Sequence, residues 1–164
     1  MTFVINQELL DKHILKIDQL VSLNNNNFKI FELLENAFQE IIGHKLFTVL
    51  RYDKSSLELE RIYSSNPSNY PLNGIKKLTN TDWSKIVLVD GNVYIGYNSN
   101  DIKSSFPDYE LIERLGCRSV MNIPLILEGN VVGSVNLLNK ENWYNEHQVQ
   151  VAKILSSKVA NLIK

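Results

Sequence analysis

Residues 119–127 (SVMNIPLIL) and 131–138 (VVGSVNLL) are two nearly continuous apolar runs, separated only by Glu128-Gly129-Asn130. Two runs of strand length joined by so short a glycine-bearing turn must pair as an antiparallel hairpin. Neither run alternates cleanly between apolar and polar residues, so both faces of this hairpin need a covering layer. That excludes an open sheet with one wet face. It demands a sheet clad on both sides.

The polar interruptions in these runs are as informative as the runs themselves. Asn122 and Asn136 stand in the two most apolar strands. With a three-residue loop, Glu128 to Asn130, the two asparagines lie directly opposite one another and share a face. With a two-residue loop the pairing slips by one, and they part to opposite faces. A buried amide left without a partner costs about 1–3 kcal/mol. Asn122 and Asn136 therefore either satisfy backbone groups near a loop or line a cavity. The sequence leaves both open.

The remaining elements supply the cladding. Residues 7–23 read as a helix, with Leu10, Ile14, Ile17 and Val21 on one seam. That seam suits packing on its own domain or against a second copy. The run Asn24-Asn25-Asn26-Asn27 breaks it. Asn27 is expected to cap a second helix over 28–42, with Phe31, Leu34, Phe38 and Ile41 as its buried stripe. Gly43-His44 ends it. Residues 46–52 and 57–63 read as a second hairpin around Asp53-Lys54-Ser55-Ser56. Residues 64–81 are expected to be irregular. Thr81 or Asn80 caps a short helix carrying Trp83. A short strand is expected at 92–97 and a short helix at 108–115, stopped by Gly116. Asn145 and Gln148 form a capping box. It opens a last helix with Val149, Ala152, Leu155, Val159 and Leu162 on one face. Residues 1–26 thus form an N-terminal helix and polar break, a possible dimerisation element, and 27–164 form the domain proper.

Length and charge close off several function classes. At 164 residues the chain has room for one domain with a substantial core. Its net charge of −1 gives no drive toward nucleic acid or an anionic membrane. It has no apolar run of transmembrane length and no signal-peptide pattern, so a cytoplasmic protein is expected. The single cysteine excludes an internal disulfide. His13, His44 and His147 have no metal-ligand spacing, so no metal site is expected.

The C-terminal text resembles the GAF domain. The matching residues are Gly116-x-x-Ser119-x-x-x-Ile123-Pro124-Leu125, then Gly129-x-Val131-Val132-Gly133-Ser134-Val135-Asn136-Leu137, then a long terminal helix. The resemblance spans about residues 28–164. It implies an α+β, PAS-like fold with a central antiparallel sheet of five to six strands. Terminal helices pack on one face, and a mixed loop and helix segment covers the other, with a small-molecule pocket beneath it. Members of that family bind cyclic nucleotides, linear tetrapyrroles, haem, amino acids or small anions. Others serve as dimer modules, and one branch reduces free methionine sulfoxide.

The residues weigh against the more specific branches. Asn139-Lys140 is followed by Glu141-Asn142-Trp143-Tyr144-Asn145-Glu146, which lacks the Phe and Asp-Glu pair of the cyclic-nucleotide branch. The reductase branch recycles through a second thiol, and Cys117 is alone. Cys117 also lies too close to its strand for the chromophore cysteine of the bilin branch, so it is expected to be a wall residue. The cofactor and ligand stay unnamed.

The pocket candidates are Trp83, Tyr94, Phe106, Cys117, Ser119, Asn122, Asn136 and Arg51. Aromatic side chains with a few polar groups are the usual lining of such a site. Arg51 would serve as a counter-charge for a carboxylate, unless it pairs with Glu58 or Glu60 across its hairpin. The expected protein is a non-enzymatic sensor domain, binding an unknown small molecule, homodimeric, and acting on a partner protein in trans. A methionine sulfoxide reductase and a ligand-free dimeric interaction module are the alternatives.

Overall fold

The computed structural model describes residues 2–23, 26–72 and 74–163. Six antiparallel strands form one sheet in the order β3-β2-β1-β6-β5-β4. They are β1 Leu46–Asp53, β2 Glu58–Ser64, β3 Ile75–Lys77, β4 Tyr94–Gly96, β5 Ser119–Leu127 and β6 Asn130–Asn139. The two predicted hairpins lie side by side through the β1–β6 pairing, which places their apolar runs at the centre of the sheet. The short edge strands β3 and β4 are additions by the middle segment.

One face is clad by helices α1 (Gln7–Ser22), α2 (Asn27–Ile41) and α6 (Val149–Ser157). Asn6 caps α1 by accepting the Leu9 N–H at 3.0 Å. Asn26 caps α2, one residue earlier than expected, by accepting from the Phe28 N–H. Asn24 and Asn25 of the polar break lie outside the described residues. In α2, Phe31, Leu34 and Phe38 are buried as expected, and Ile42 is buried where Ile41 is only half so. Leu10 and Ile17 of the α1 seam enter the same core, and Ile14 and Val21 pack against its edge. The odd-numbered residues Phe47, Val49, Met121, Ile123, Val135 and Leu137 meet these helices. The last helix is shorter than its apolar face suggested. It stops at Ser157, and a 3-10 turn, Ala160–Leu162, carries the chain on to the buried Ile163.

The even-numbered residues of the central strands face the other way, toward a cover built from α3 (Asp82–Ser84), α4 (Ser99–Ser105) and α5 (Tyr109–Arg114), with the edge strand β3 beside it. Two of these elements correct the sequence reading. Residues 75–77 form an edge strand inside the segment expected to be irregular, paired to β2. α4 was not anticipated at all. Its signal is Asn98, whose side chain accepts the Asp101 N–H at 3.1 Å, a cap that is readable in the sequence. α3 runs directly into a π-helical turn, Lys85–Val89. Among the described residues no helix is long and apolar enough to cross a membrane.

The β5–β6 register decides between the two loop lengths. The turn has two residues, Glu128 and Gly129, both at positive φ (52° and 79°). That geometry should have separated Asn122 from Asn136. It does not, because the register shifts between Leu125 and Ile126: Ile126 pairs with Val131 and Leu125 with Gly133. Val132 is the extra residue of a β-bulge. The bulge undoes the slip, and Asn122 faces Asn136.

Candidate functional site

A cavity of about 140 Å³ lies between the even-numbered face of the sheet and its cover. One buried water needs roughly 10–15 Å³ on such a measure, so this space is large enough for a small organic molecule. Thr48 and Leu50 of β1, Leu59 and Arg61 of β2, Val120 and Asn122 of β5, and Asn136 and Leu138 of β6 form its floor. Tyr70, Gly74, Lys76, Lys77 and Trp83 close one side. The α4–α5 junction, with Phe106 and Asp108, closes another.

The floor carries a polar network inside an apolar surround. Asn136 Nδ2 donates to Thr48 Oγ1 at 3.1 Å. Asn136 Oδ1 accepts from Ser134 Oγ at 3.0 Å and from Asn122 Nδ2 at 2.6 Å. This arrangement fixes the orientation of Asn122 and leaves its Oδ1 buried with no partner. Two further atoms of the lining share that condition, Trp83 Nε1 and Arg61 Nε. Asn122 and Trp83 are 2% and 5% exposed. Native folds rarely leave such atoms unpaired.

Arg61 is held rigidly. Its guanidinium stacks 3.6 Å above the Tyr70 ring, and Nη1 donates to the Pro71 carbonyl at 2.7 Å. Tyr70 is itself fixed, donating to Asp108 Oδ2 at 2.5 Å. Burial, then the Asp108 charge, pushes the Tyr70 hydroxyl well above its usual range, so it remains a donor. Arg61 reaches this face because of a second register shift, between Val49 and Leu50. Leu50 pairs with Arg61, but Val49 pairs with Tyr63, so Ile62 is the extra residue. Tyr63 is thereby turned to the helix side, where it donates to Glu35.

Four of the eight predicted pocket residues meet at the cavity: Trp83, Phe106, Asn122 and Asn136. Trp83 and Phe106 pack edge to face, with centroids 5.4 Å apart. The other four stand outside its lining. Tyr94 is one step removed, its hydroxyl 2.9 Å from the lining residue Ser105. Ser119 is spent on backbone, donating to the Lys140 carbonyl at 2.7 Å. Arg51 pairs with Glu60 across the hairpin, the alternative weighed from the sequence. Cys117 is fully buried in the packing behind the cavity, with Leu46, Ile112 and Val120. The sequence reading missed Arg61 outright and did not single out Tyr70.

Residues 84–163 match the family model of the GAF domain. The chain carries a GAF domain. Solved GAF domains share its architecture at low sequence identity. The one from an Acinetobacter phosphoenolpyruvate-protein phosphotransferase superposes with a TM-score of 0.73 at 13% identity, covering 99% of this chain and 94% of that one. The corresponding domain from Coxiella burnetii gives 0.72 at 16%, covering 95% of each. The GAF domain of a two-component sensor histidine kinase from Bacillus halodurans gives 0.67 at 13%, covering 82% and 91%. No curated protein matches the sequence. Among the described residues of this GAF domain, no cluster of three or more His, Cys, Asp or Glu is placed to hold a metal ion.

Burial pushes the Cys117 thiol up to about 11, with Lys45 opposing the shift. At pH 8 the thiolate that reacts with alkylating agents is then about a thousandth of the total, against roughly a quarter for a free cysteine. Iodoacetamide should label Cys117 at least a hundredfold more slowly in the folded protein than in urea. A ratio below ten, measured by mass spectrometry over time, would show an accessible thiol.

Proposed function

We propose that this GAF domain is a small-molecule-binding regulatory domain, taking its ligand between the sheet and the cover. One observation carries the reading: Asn122 Oδ1, Trp83 Nε1 and Arg61 Nε are all buried without partners, and all belong to residues lining the same cavity. Each such atom costs about 1–3 kcal/mol when left unpaired. Three of them around one space fit a site whose missing partners come from a ligand. The rest of the lining is apolar and aromatic, which suits an organic molecule. The family and the sensor kinase among its structural relatives support a regulatory role. The proposal includes a homodimer and a partner protein acted on in trans. Cys117, single and buried, gives no support to thiol catalysis.

Binding should stabilise the fold by mass action. A ligand at a hundred times its Kd adds about 2.7 kcal/mol. For a domain of this size that raises Tm by roughly 5–10 °C. A thermal-shift screen of organic acids, amines, alcohols and nucleotides should find compounds with that effect, and Trp83→Ala should abolish it. If no compound shifts Tm, and a crystal structure shows side chains filling the cavity, the ligand reading fails.

A further inference from the structure

The deeper question is which chemistry the cavity selects. Resting on the reading of this cavity as a ligand site, we propose that its ligand is an elongated monocarboxylic acid with a flat apolar body. A hydrogen-bond donor such as a hydroxyl stands at the end away from the carboxylate.

Arg61 sets the acidic end. Its Nη1 is committed to the Pro71 carbonyl and its face to Tyr70. The side-on edge, formed by Nε and Nη2, has its buried Nε without a partner. That edge presents two parallel N–H donors at the spacing of a carboxylate's two oxygens, the arrangement for bidentate pairing. The Asp108–Tyr70–Arg61 chain of contacts holds the fork in place before any ligand arrives. One guanidinium fork matches the two oxygens of a single carboxylate. Lys76 and Lys77 also line the cavity, but they stand on the exposed strand β3, where solvent screens them and Glu58 pairs with Lys77 at 3.1 Å.

Asn122 sets the other end. Its free Oδ1 accepts only, so it needs a donor from the ligand. Arg61 stands on β2 and Asn122 on β5, three strands apart in the sheet order. The backbones are therefore separated by about 14 Å, a span that the two side chains shorten but do not close. Leu50 lies on β1 between them, and the rings of Trp83 and Phe106 line the same cavity, which gives the ligand's middle an apolar, flat surround. Trp83 Nε1, the third unpaired atom, is a donor and needs an acceptor oxygen on the ligand.

The test uses three probes by titration calorimetry: 4-hydroxyphenylacetate, phenylacetate and the neutral alcohol 4-(2-hydroxyethyl)phenol. The hydroxylated acid should bind at least tenfold tighter than either of the others. Arg61→Gln should remove its advantage over the alcohol and leave the alcohol within threefold. Arg61→Lys, which keeps the charge and loses the fork, should recover only part of it. Asn122→Leu should remove the advantage over phenylacetate. Circular dichroism of each variant establishes that it is folded. Equal or tighter binding of the alcohol would overturn the acid assignment and leave the cavity as a ligand site, as would a loss in Arg61→Gln that falls on all three probes alike. Failure of all three probes to bind at 10 mM overturns the acid assignment too. If the thermal-shift screen is also empty, the ligand reading falls with it.

Discussion

Gly133→Ala is expected to cost about 3 kcal/mol or more, and to be seen as a collapse of the urea midpoint or as insoluble protein. A Cβ built at Gly133 lies 2.1 Å from the Leu50 carbonyl oxygen and 3.2 Å from Ile163 Cγ2. The first contact is with backbone in the neighbouring central strand, which cannot rotate away. Relief requires β1 and β6 to move apart where Leu50 and Arg51 pair with Ser134 and Gly133. Overpacking in a core typically costs 1–3 kcal/mol, and here the obstacle is rigid and central. Gly129→Ala is the control. Gly129 has nothing within 4 Å of its Cβ position and only its positive φ to lose, about 1–2 kcal/mol. If the two variants unfold at the same urea concentration, the close approach of the strands at Gly133 is wrong.

Gly133 also shows where sequence reading reached its limit. The two apolar runs are legible because both faces of the central hairpin are buried, and burial writes itself into composition. The bulge at Val132 is not legible. It depends on Gly133 passing close to Leu50, a contact between segments more than eighty residues apart in the chain. From the sequence, the facing of Asn122 and Asn136 hangs on loop length: three residues bring them opposite one another and two part them. It arises instead from a two-residue loop and a compensating bulge. Neither loop length alone predicts that route.

The same physics divides the site. Trp83 could be placed because Thr81 caps its helix locally: Ser84 N–H donates to Thr81 Oγ1 at 3.2 Å, and Thr81 N–H donates to Ser84 Oγ at 3.0 Å. Asn122 and Asn136 could be placed because polar residues stand out in apolar strands. Arg51 and Arg61 could not be told apart. Each is a lone arginine on an outer hairpin, and only the pairing of Leu50 with Arg61 assigns one to the cavity. Tyr70 gains its meaning from Asp108, thirty-eight residues away. Such a pair leaves no periodic trace.

The floor network yields the other large effect. Asn136→Ala should destabilise the domain by roughly 3 kcal/mol, a fall in Tm of about 6–12 °C. The substitution removes the acceptor of both Asn122 Nδ2 and Ser134 Oγ and the donor to Thr48 Oγ1. Asn122, already short of a partner at Oδ1, would then have none at either end. The double variant Asn122→Leu/Asn136→Leu should lie within about 1.5 kcal/mol of wild type, because replacing both members of a buried polar pair by apolar groups leaves fewer atoms unsatisfied. It should also be unable to favour 4-hydroxyphenylacetate over phenylacetate. Stability kept and selectivity lost would mean that the asparagines are placed for a ligand. If the single-variant costs simply add in the double, Asn122 and Asn136 do not act as a pair, and the orientation of Asn122 that exposes its Oδ1 to the cavity loses its basis.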